Sequence, residues 1–465
     1  MDSQNTSVSL PDEQAMLPFL PDKSPKPAAK KPVAKPARSA MPAMVSGSVA
    51  RSVSRVPDTA MPEAALRSAG ARGANLALDL HPDLPIKGRG AVSNIQSRFE
   101  VHGRKRFDDG WTIPVQAPAQ PRGQVPARDQ DQDQAASLKT VVTDEIARSI
   151  LSRNSSPDIP FGVSLNPYRG CEHGCIYCYA RPSHGYLGLS PGLDFESKLF
   201  AKVNAADLLR QELARPGYVP HNIAIGVNTD AYQPCERDKR ITREVLEVLA
   251  ECRHPYGLIT KSALIERDID LIAPMAEQGL ACAAITLTTL DGEIARTLEP
   301  RAAAPARRLR AIRTLTEAGI PVSVSVAPII PFVTEPEIER ILEAARDAGA
   351  VGAHYTVLRM PWEVNPLFQQ WLQTHFPDRA QRVLHRIRDM RGGKEYDSDF
   401  GKRMTGEGVW ADLIRQRFTK AVKRLGMDGY TSRFNKLDGE QFRRPVVVPK
   451  TAKQTIAEAA QMDLF

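Results

Sequence analysis

No stretch of this 465-residue chain approaches the roughly 20 consecutive apolar residues that a membrane-spanning helix needs. The first residues, MDSQNTSVSLPDEQ, are polar and acidic and lack the apolar core of a secretory signal. Cysteine is scarce: there are six, at odd spacings that do not read as a disulfide framework. These features point to a soluble protein of a reducing cytoplasm. Acidic residues are missing altogether between Lys23 and Arg55, a span that takes in most of the Pro/Ala/Lys-rich run PDKSPKPAAKKPVAKPARSAMPAMVSG. Such a segment has no sustained apolar period and cannot bury enough surface to offset its ordering entropy, so residues 1–86 are expected to be a disordered tail. Residues 1–90 carry 12 Lys and Arg against 8 Asp and Glu, half of the net charge of +8. The overall charge therefore says little about what the folded part binds. A basic tail can touch nucleic acid loosely or simply be solvated.

What is present concentrates in residues 166–192, NPYRGCEHGCIYCYARPSHGYLGLSPG. Half of the cysteines, Cys171, Cys175 and Cys178, fall here within eight residues, more than a packing core requires. Thiolates at such short spacing hold soft metals and iron–sulfur clusters. Gly170 and Gly174 let the backbone curl and bring its N–H groups towards whatever the sulfurs hold. A four-iron cluster takes four ligands, so three cysteines leave one iron open. A zinc site is the competing reading. It would need His173 or His184 as a further ligand, and C-x3-C-x2-C is not a usual zinc spacing.

CxxxCxxC with an aromatic residue, Tyr177, before the last cysteine resembles the cluster loop of the radical S-adenosylmethionine (SAM) enzymes. The flanking NPYRGCEHGCIYC and YLGLSPGLDFE are similar to a narrower bacterial group related to spore photoproduct lyase. The resemblance implies a [4Fe–4S] cluster whose open iron is chelated by S-adenosylmethionine, and reductive cleavage of that cofactor to a 5′-deoxyadenosyl radical. An electron donor such as a flavodoxin or ferredoxin would be a partner. KGRGAVSNIQSRFEVHGRKRFDDGW, from Lys87, resembles the leading segment of the same group and is expected to lie against the folded domain. Arg98, Arg104, Lys105 and Arg106 in it form either a phosphate-contacting surface or a solvated one. Residues 115–135 read as linker.

Strand and helix signals then alternate. Strands are expected at Gly162–Leu165, Asn222–Val227, Tyr256–Thr260, Cys282–Thr288, Val322–Pro328 and Ala353–Met360. Helices are expected at Ala205–Leu213, Ile241–Cys252, Leu264–Met275, Ala306–Ala318 and Pro336–Ala348. Repeated βα units imply a parallel sheet with right-handed crossovers. The expected fold is α/β, a partial (β/α)6 TIM-type barrel over 137–360, with an ordinary doubly wound sheet as the fallback. Residues 87–136 are read as leading segment and linker, 361–445 as a helical Arg-rich C-terminal extension with an ordered loop over Arg391–Gly408, and 446–465 as a flexible tail. Chemistry belongs at the carboxyl ends of the strands.

GVNTDAYQPCE (Gly226–Glu236) ends the second expected strand. Asn228, Thr229 and Asp230 offer acceptors there for an ammonium, or form an Asx turn that caps the next helix. The resemblance places the S-adenosylmethionine amino group at this motif. It likewise suggests Lys261 for the carboxylate, Thr288 for the ribose and Ile329 for adenine; each is also an ordinary strand-end or core residue. Arg301 follows in an EPR sequence similar to that group. Cys235 departs from the group's motif, where an aliphatic residue is expected. It is either a hydrogen-atom donor to a product radical or a small buried thiol. Cys252 and Cys282 read as core.

The last five residues, QMDLF, resemble the peptide by which bacterial repair and replication proteins dock on the DNA polymerase sliding clamp. Leu464 and Phe465 would enter an apolar groove while Gln461 makes polar contacts. The expected function is a radical SAM enzyme acting on nucleic acid, lyase-like or in DNA repair. The alternatives are a zinc- or cluster-stabilised adaptor for nucleic acid or the clamp, and a radical SAM enzyme with a protein or small-molecule substrate.

Overall fold

The computed structural model describes residues 86–100, 138–429 and 434–446. The front tail, Arg104–Arg106, the 115–135 linker, and Gln461, Leu464 and Phe465 lie outside them.

The described chain first forms β1 (Val141–Glu145), β2 (Leu151–Arg153), β3 (Val163–Leu165), β4 (Tyr168–Arg169) and β5 (Lys198–Lys202). The later strands are β6 (Ile223–Ile225), β7 (Tyr256–Thr260), β8 (Ala281–Thr286), β9 (Val322–Ile329), β10 (Gly352–Val357) and β11 (Asp428–Gly429). The main sheet runs β11-β10-β9-β8-β7-β6-β3-β2. From β3 through β6 to β10, each strand pairs in parallel with the next along the chain. That is the six-strand half-barrel expected from the sequence. The sheet stays open: β2 is an antiparallel edge beside β3, and β11 adds a short parallel edge beside β10. The sequence reading missed a second sheet, β1-β5-β4, beside the cysteine loop.

Crossover helices α1 (Ala205–Ala214), α2 (Ile241–Glu251), α3 (Ile269–Glu277), α4 (Gly292–Leu298), α5 (Pro305–Glu317) and α6 (Ile338–Asp347) cover one side. In α6 the buried residues Ile338, Ile341, Leu342 and Ala345 recur at helical spacing, so one face meets the sheet. Helix α4 was also missed; the Asp291 carboxylate caps it, accepting the N–H groups of Glu293 and Ile294. Strand β8, ACAAIT, is buried along its whole length, as a parallel strand covered on both faces should be.

The pleat sorts the strand residues into two sets. Ile223, Ile225, Tyr256, Leu258, Ala283 and Ile285 join the core under the helices. Ala224, Cys282 and Ala284 face the other way, around the ring of Phe434 from the C-terminal segment. Gly257 belongs to that inner face: a Cβ there would lie 2.6 Å from the Phe434 ring.

The C-terminal extension is helical, with α7 (Val364–His375), α8 (Pro377–Asp389) and α9 (Gly408–Arg424). Leu367, Phe368, Trp371, Val383, Leu384 and Ile387 pack in one cluster with Ile176, Tyr177 and Leu193 of the cysteine-loop region. The extension is thus a wall of the site. Among the described residues, no helix is long and apolar enough to cross a membrane.

Candidate functional site

Cys171, Cys175 and Cys178 are free thiols on the loop that follows β4, at the carboxyl end of the barrel. Gly170 (φ 74°) and Gly174 (φ 68°) take the left-handed backbone that lets the loop turn back on itself. A Cβ at Gly170 would meet Leu199, His184 and the Phe195 carbonyl at 2.8–3.0 Å, so the turn is also tightly enclosed.

A buried arginine fixes the shape of this loop. Arg181, with no exposed surface, donates to the carbonyls of Cys175 (2.9 Å), Gly174 (3.0 Å), Gly192 (3.0 Å) and Pro191 (3.1 Å), and pairs with the equally buried Glu196. The second strand-end motif holds the loop from the other side. Gln233 accepts the Glu172 N–H (2.8 Å) and donates to the Gly170 carbonyl (3.3 Å). Glu236 takes the Tyr168 hydroxyl, the Thr242 N–H and the Arg267 guanidinium. Arg301 pairs with Glu172 at 2.8 Å, and its N–H donates to the His173 carbonyl.

The thiols sit among further charges. Burial, then the negative charge of Asp230 and of Cys175, pushes the Cys171 thiol well up. Burial pushes Cys175 up to about 12, with Lys261 opposing the rise and Glu299 adding to it. Such thiols stay protonated at neutral pH until a positive metal centre inverts the local electrostatics. Tyr177 donates its hydroxyl to Glu299 (2.5 Å), and Glu299 pairs with the buried Arg308 at 2.7 Å. Lys261 lies 5.8 Å above the Tyr177 ring. Burial alone would lower its ammonium, but Cys175 and Glu299 outweigh that and hold it above the usual range.

The other sequence-predicted residues divide. Asp230 stands beside Cys171, but its oxygens are engaged: Oδ1 accepts Thr260 (2.6 Å) and the Tyr232 N–H (2.9 Å), and Oδ2 accepts the Lys261 N–H (2.7 Å). Nδ1 of His173 lies 3.2 Å from Oδ2, off the line of a hydrogen bond. Burial would raise this carboxyl; His173 and the donors more than reverse that and hold it well below the carboxylate range. The Thr229 hydroxyl donates to the Tyr168 carbonyl (3.2 Å) and Thr288 to the Ala327 carbonyl (3.0 Å). Asn228 differs: its N–H donates to Asn166 (2.8 Å) while its side chain is exposed. Ile329 and Cys235 belong to the main core, and burial, then Glu172 and Glu236, pushes the Cys235 thiol up to about 12. His184 packs between Phe195 and Phe200 with its Nε2 2.9 Å from the Lys198 carbonyl.

Sequence reasoning missed Arg181, Glu196, Gln233, Glu236, Glu299 and Arg308. All but Arg308 lay inside stretches already singled out, but no local signal marked these residues as buried or told which charge pairs with which.

Residues 165–345 match the family model described as the Radical SAM superfamily. The chain carries a radical SAM domain. That match covers the cysteine loop and strands β6 to β9; it begins at the last residue of β3 and stops short of β10. A Mycobacterium tuberculosis protein of uncharacterized function is 35% identical over 226 residues, 48% of this chain and 66% of that protein. A Methanocaldococcus jannaschii protein, also uncharacterized, is 30% identical over 175 residues, 37% of this chain and 62% of its own length. The chain thus spans just under two thirds of these relatives. Among solved structures, the radical SAM domain and its surroundings are similar to a spore photoproduct lyase complexed with dinucleoside spore photoproduct, at 14% identity and a TM-score of 0.46, covering 67% of this chain and 87% of that one.

A cluster fits the residues present. Three free thiols lie close enough to act on one another's charge, in a loop whose glycines keep side chains out of its turns. Among the described residues, no three His, Cys, Asp or Glu side chains converge as a single metal ion would need. A four-iron cluster makes no such demand, because each thiolate ligates a different iron.

Proposed function

We propose that this protein is a radical SAM enzyme that acts on nucleic acid. The observation that carries the enzyme reading is the cysteine loop, pinned by Arg181, Glu196 and Gln233 at the carboxyl end of a parallel half-barrel, with Lys261 held cationic beside Cys175. Cys171, Cys175 and Cys178 would hold a [4Fe–4S] cluster. When bound, the cluster and S-adenosylmethionine supply reductive cleavage to a 5′-deoxyadenosyl radical. The chain's own part is binding and orientation. The exposed amide of Asn228 would meet the cofactor's ammonium, and Lys261 its carboxylate. Tyr177, tied to Glu299 and Thr288, orients the loop from below. The α7–α8 wall excludes water from the loop's apolar side.

The substrate class rests on the rim. Tyr179, one residue past Cys178, is 40% exposed, with Arg359 5.3 Å from its ring and Arg403 near enough to act on its hydroxyl. Phe400 is also exposed, 4.6 Å from Arg403. Exposed aromatic rings beside arginines suit stacked bases, with Arg359 the cation offered to a phosphate because Asp158 already holds Arg403 through two hydrogen bonds. The C-terminal QMDLF would bring the enzyme to DNA through the sliding clamp, and a flavodoxin or ferredoxin would supply the electron.

The test is S-adenosylmethionine cleavage by the reduced, reconstituted chain with and without single-stranded or lesion-bearing oligonucleotides. The expected result is formation of 5′-deoxyadenosine that an oligonucleotide stimulates and Tyr179→Ala weakens. Cleavage indifferent to every nucleic acid tried would remove the substrate class and leave the radical chemistry.

A further inference from the structure

The leading segment Ile86–Glu100 is built into the cysteine loop. Glu196, the partner of Arg181, accepts the N–H of Gly90 (2.9 Å) on one oxygen and of Ala91 (2.8 Å) on the other. Arg89, itself buried, donates to the Glu196 carbonyl (2.7 Å) and to Thr140 (2.8 Å), whose hydroxyl donates to Glu172 (2.8 Å). Asn94 and Asp194 exchange two hydrogen bonds, at 3.0 and 3.2 Å.

Three glycines mark where the leading segment closes on this part of the chain, two of them backbone against backbone. A Cβ at Gly90 would sit 1.9 Å from the Gly174 carbonyl oxygen, one at Gly192 would sit 2.1 Å from the Ser93 oxygen, and one at Gly185 would meet Ser97 Oγ at 2.2 Å. The Gly174 contact falls on the loop itself, and Gly192 is tied back to it through Arg181, which donates to the Gly192 carbonyl.

We propose that residues 86–100 form a strap coupled to the metal-holding state of the loop, with Gly90 and Glu196 as its positioning residues. This rests on the cluster reading above. Glu196 links the two parts: the same carboxylate holds the strap's amides and the arginine that fixes the Gly174 and Cys175 carbonyls. A strap that favours the ligand-ready loop must be favoured by the bound cluster to the same degree, because coupling between two sites is reciprocal. Docking of the strap and occupancy of the loop therefore rise and fall together.

Hydrogen exchange of the full chain before and after anaerobic reconstitution with iron and sulfide reads this coupling directly. Peptides covering 86–100 should slow by about tenfold or more, an ordinary coupling between sites, in step with 170–181, while β8 stays unchanged. Slowing of 170–181 alone overturns the inference. A chain that takes up no iron overturns the cluster reading and the inference with it, so the two failures are distinct. A second measurement uses Gly90→Ala. It should retain the far-UV spectrum, bind several-fold less iron and sulfide, and give an altered electron paramagnetic resonance signal for what remains. Ser93→Ala, whose lost hydroxyl bonds Gln370, should retain both. A folded Gly90→Ala with full iron and a superimposable signal would refute the assignment.

Discussion

The inner face of the half-barrel and the rim above it are held by different forces. Near the start of the strands, Ala224, Gly257, Cys282 and Ala284 leave space that Phe434 fills, with Phe161, Val227, Ile259 and Leu437 around it. That contact is apolar and non-directional. At the rim, the cysteine loop hangs on buried charge: Arg181 with Glu196, Arg308 with Glu299, and His173 beside Asp230. Apolar packing tolerates substitution if volume is kept. Buried ion pairs add little net stability, but their hydrogen bonds fix a geometry and losing one partner is costly. A loop that must present three sulfurs in fixed places needs the second kind of support.

That contrast can be broken most severely at Arg181. Arg181→Met leaves Glu196 without its ion-pair partner and takes the guanidinium's donors from four carbonyls, which should cost about 3–5 kcal/mol in denaturant unfolding and abolish iron retention. A midpoint close to wild type would show that the rim does not depend on its charges. Gly257→Ala attacks the other region by overfilling the space of Phe434. It should cost about 1–3 kcal/mol yet leave iron content at the wild-type value. Loss of iron there would merge the two regions into one.

Acid separates them less sharply. Burial pushes His184, at the rim, and His254, below it, down to about 4. The unfolded chain binds protons on both from about pH 6.5 downwards while the folded chain does not, so stability should fall from there to about pH 4. His254→Gln should flatten that slope by one proton in a pH series of unfolding curves, and an unchanged slope would discount this histidine. The smallest effect belongs to Cys235→Ala. With the thiol in the core, S-adenosylmethionine cleavage and product identity should be unaltered; a new product distribution would restore Cys235 as a hydrogen-atom donor.

The sequence revealed the parts whose physics is repetitive. Apolar runs placed β7, β8 and β9 within a residue or two, and the 3.6-residue period placed α2, α5 and α6, because burial of one face leaves a trace at every turn. The cysteine loop was legible from spacing alone. The pins were not: a fully buried Arg181 or Glu196 looks in sequence like any surface charge, and its partner lies on a separate turn of the chain. The strap's docking was expected only from resemblance, since its contacts are backbone amides and glycine hydrogens. Strand β1 escaped because its face is largely exposed, and α4 because it opens on Gly292, although Asp291 before it was an available capping signal.

The central claim is that Cys171, Cys175 and Cys178 hold a cluster that cleaves S-adenosylmethionine. The direct measurement is iron, sulfide and 5′-deoxyadenosine per chain in the anaerobically reconstituted, reduced protein, with Cys175→Ala alongside. The account predicts about four irons and four sulfides with 5′-deoxyadenosine formed by the wild type, and background values for the variant. Stoichiometric zinc without sulfide, or equal 5′-deoxyadenosine from both proteins, would contradict it.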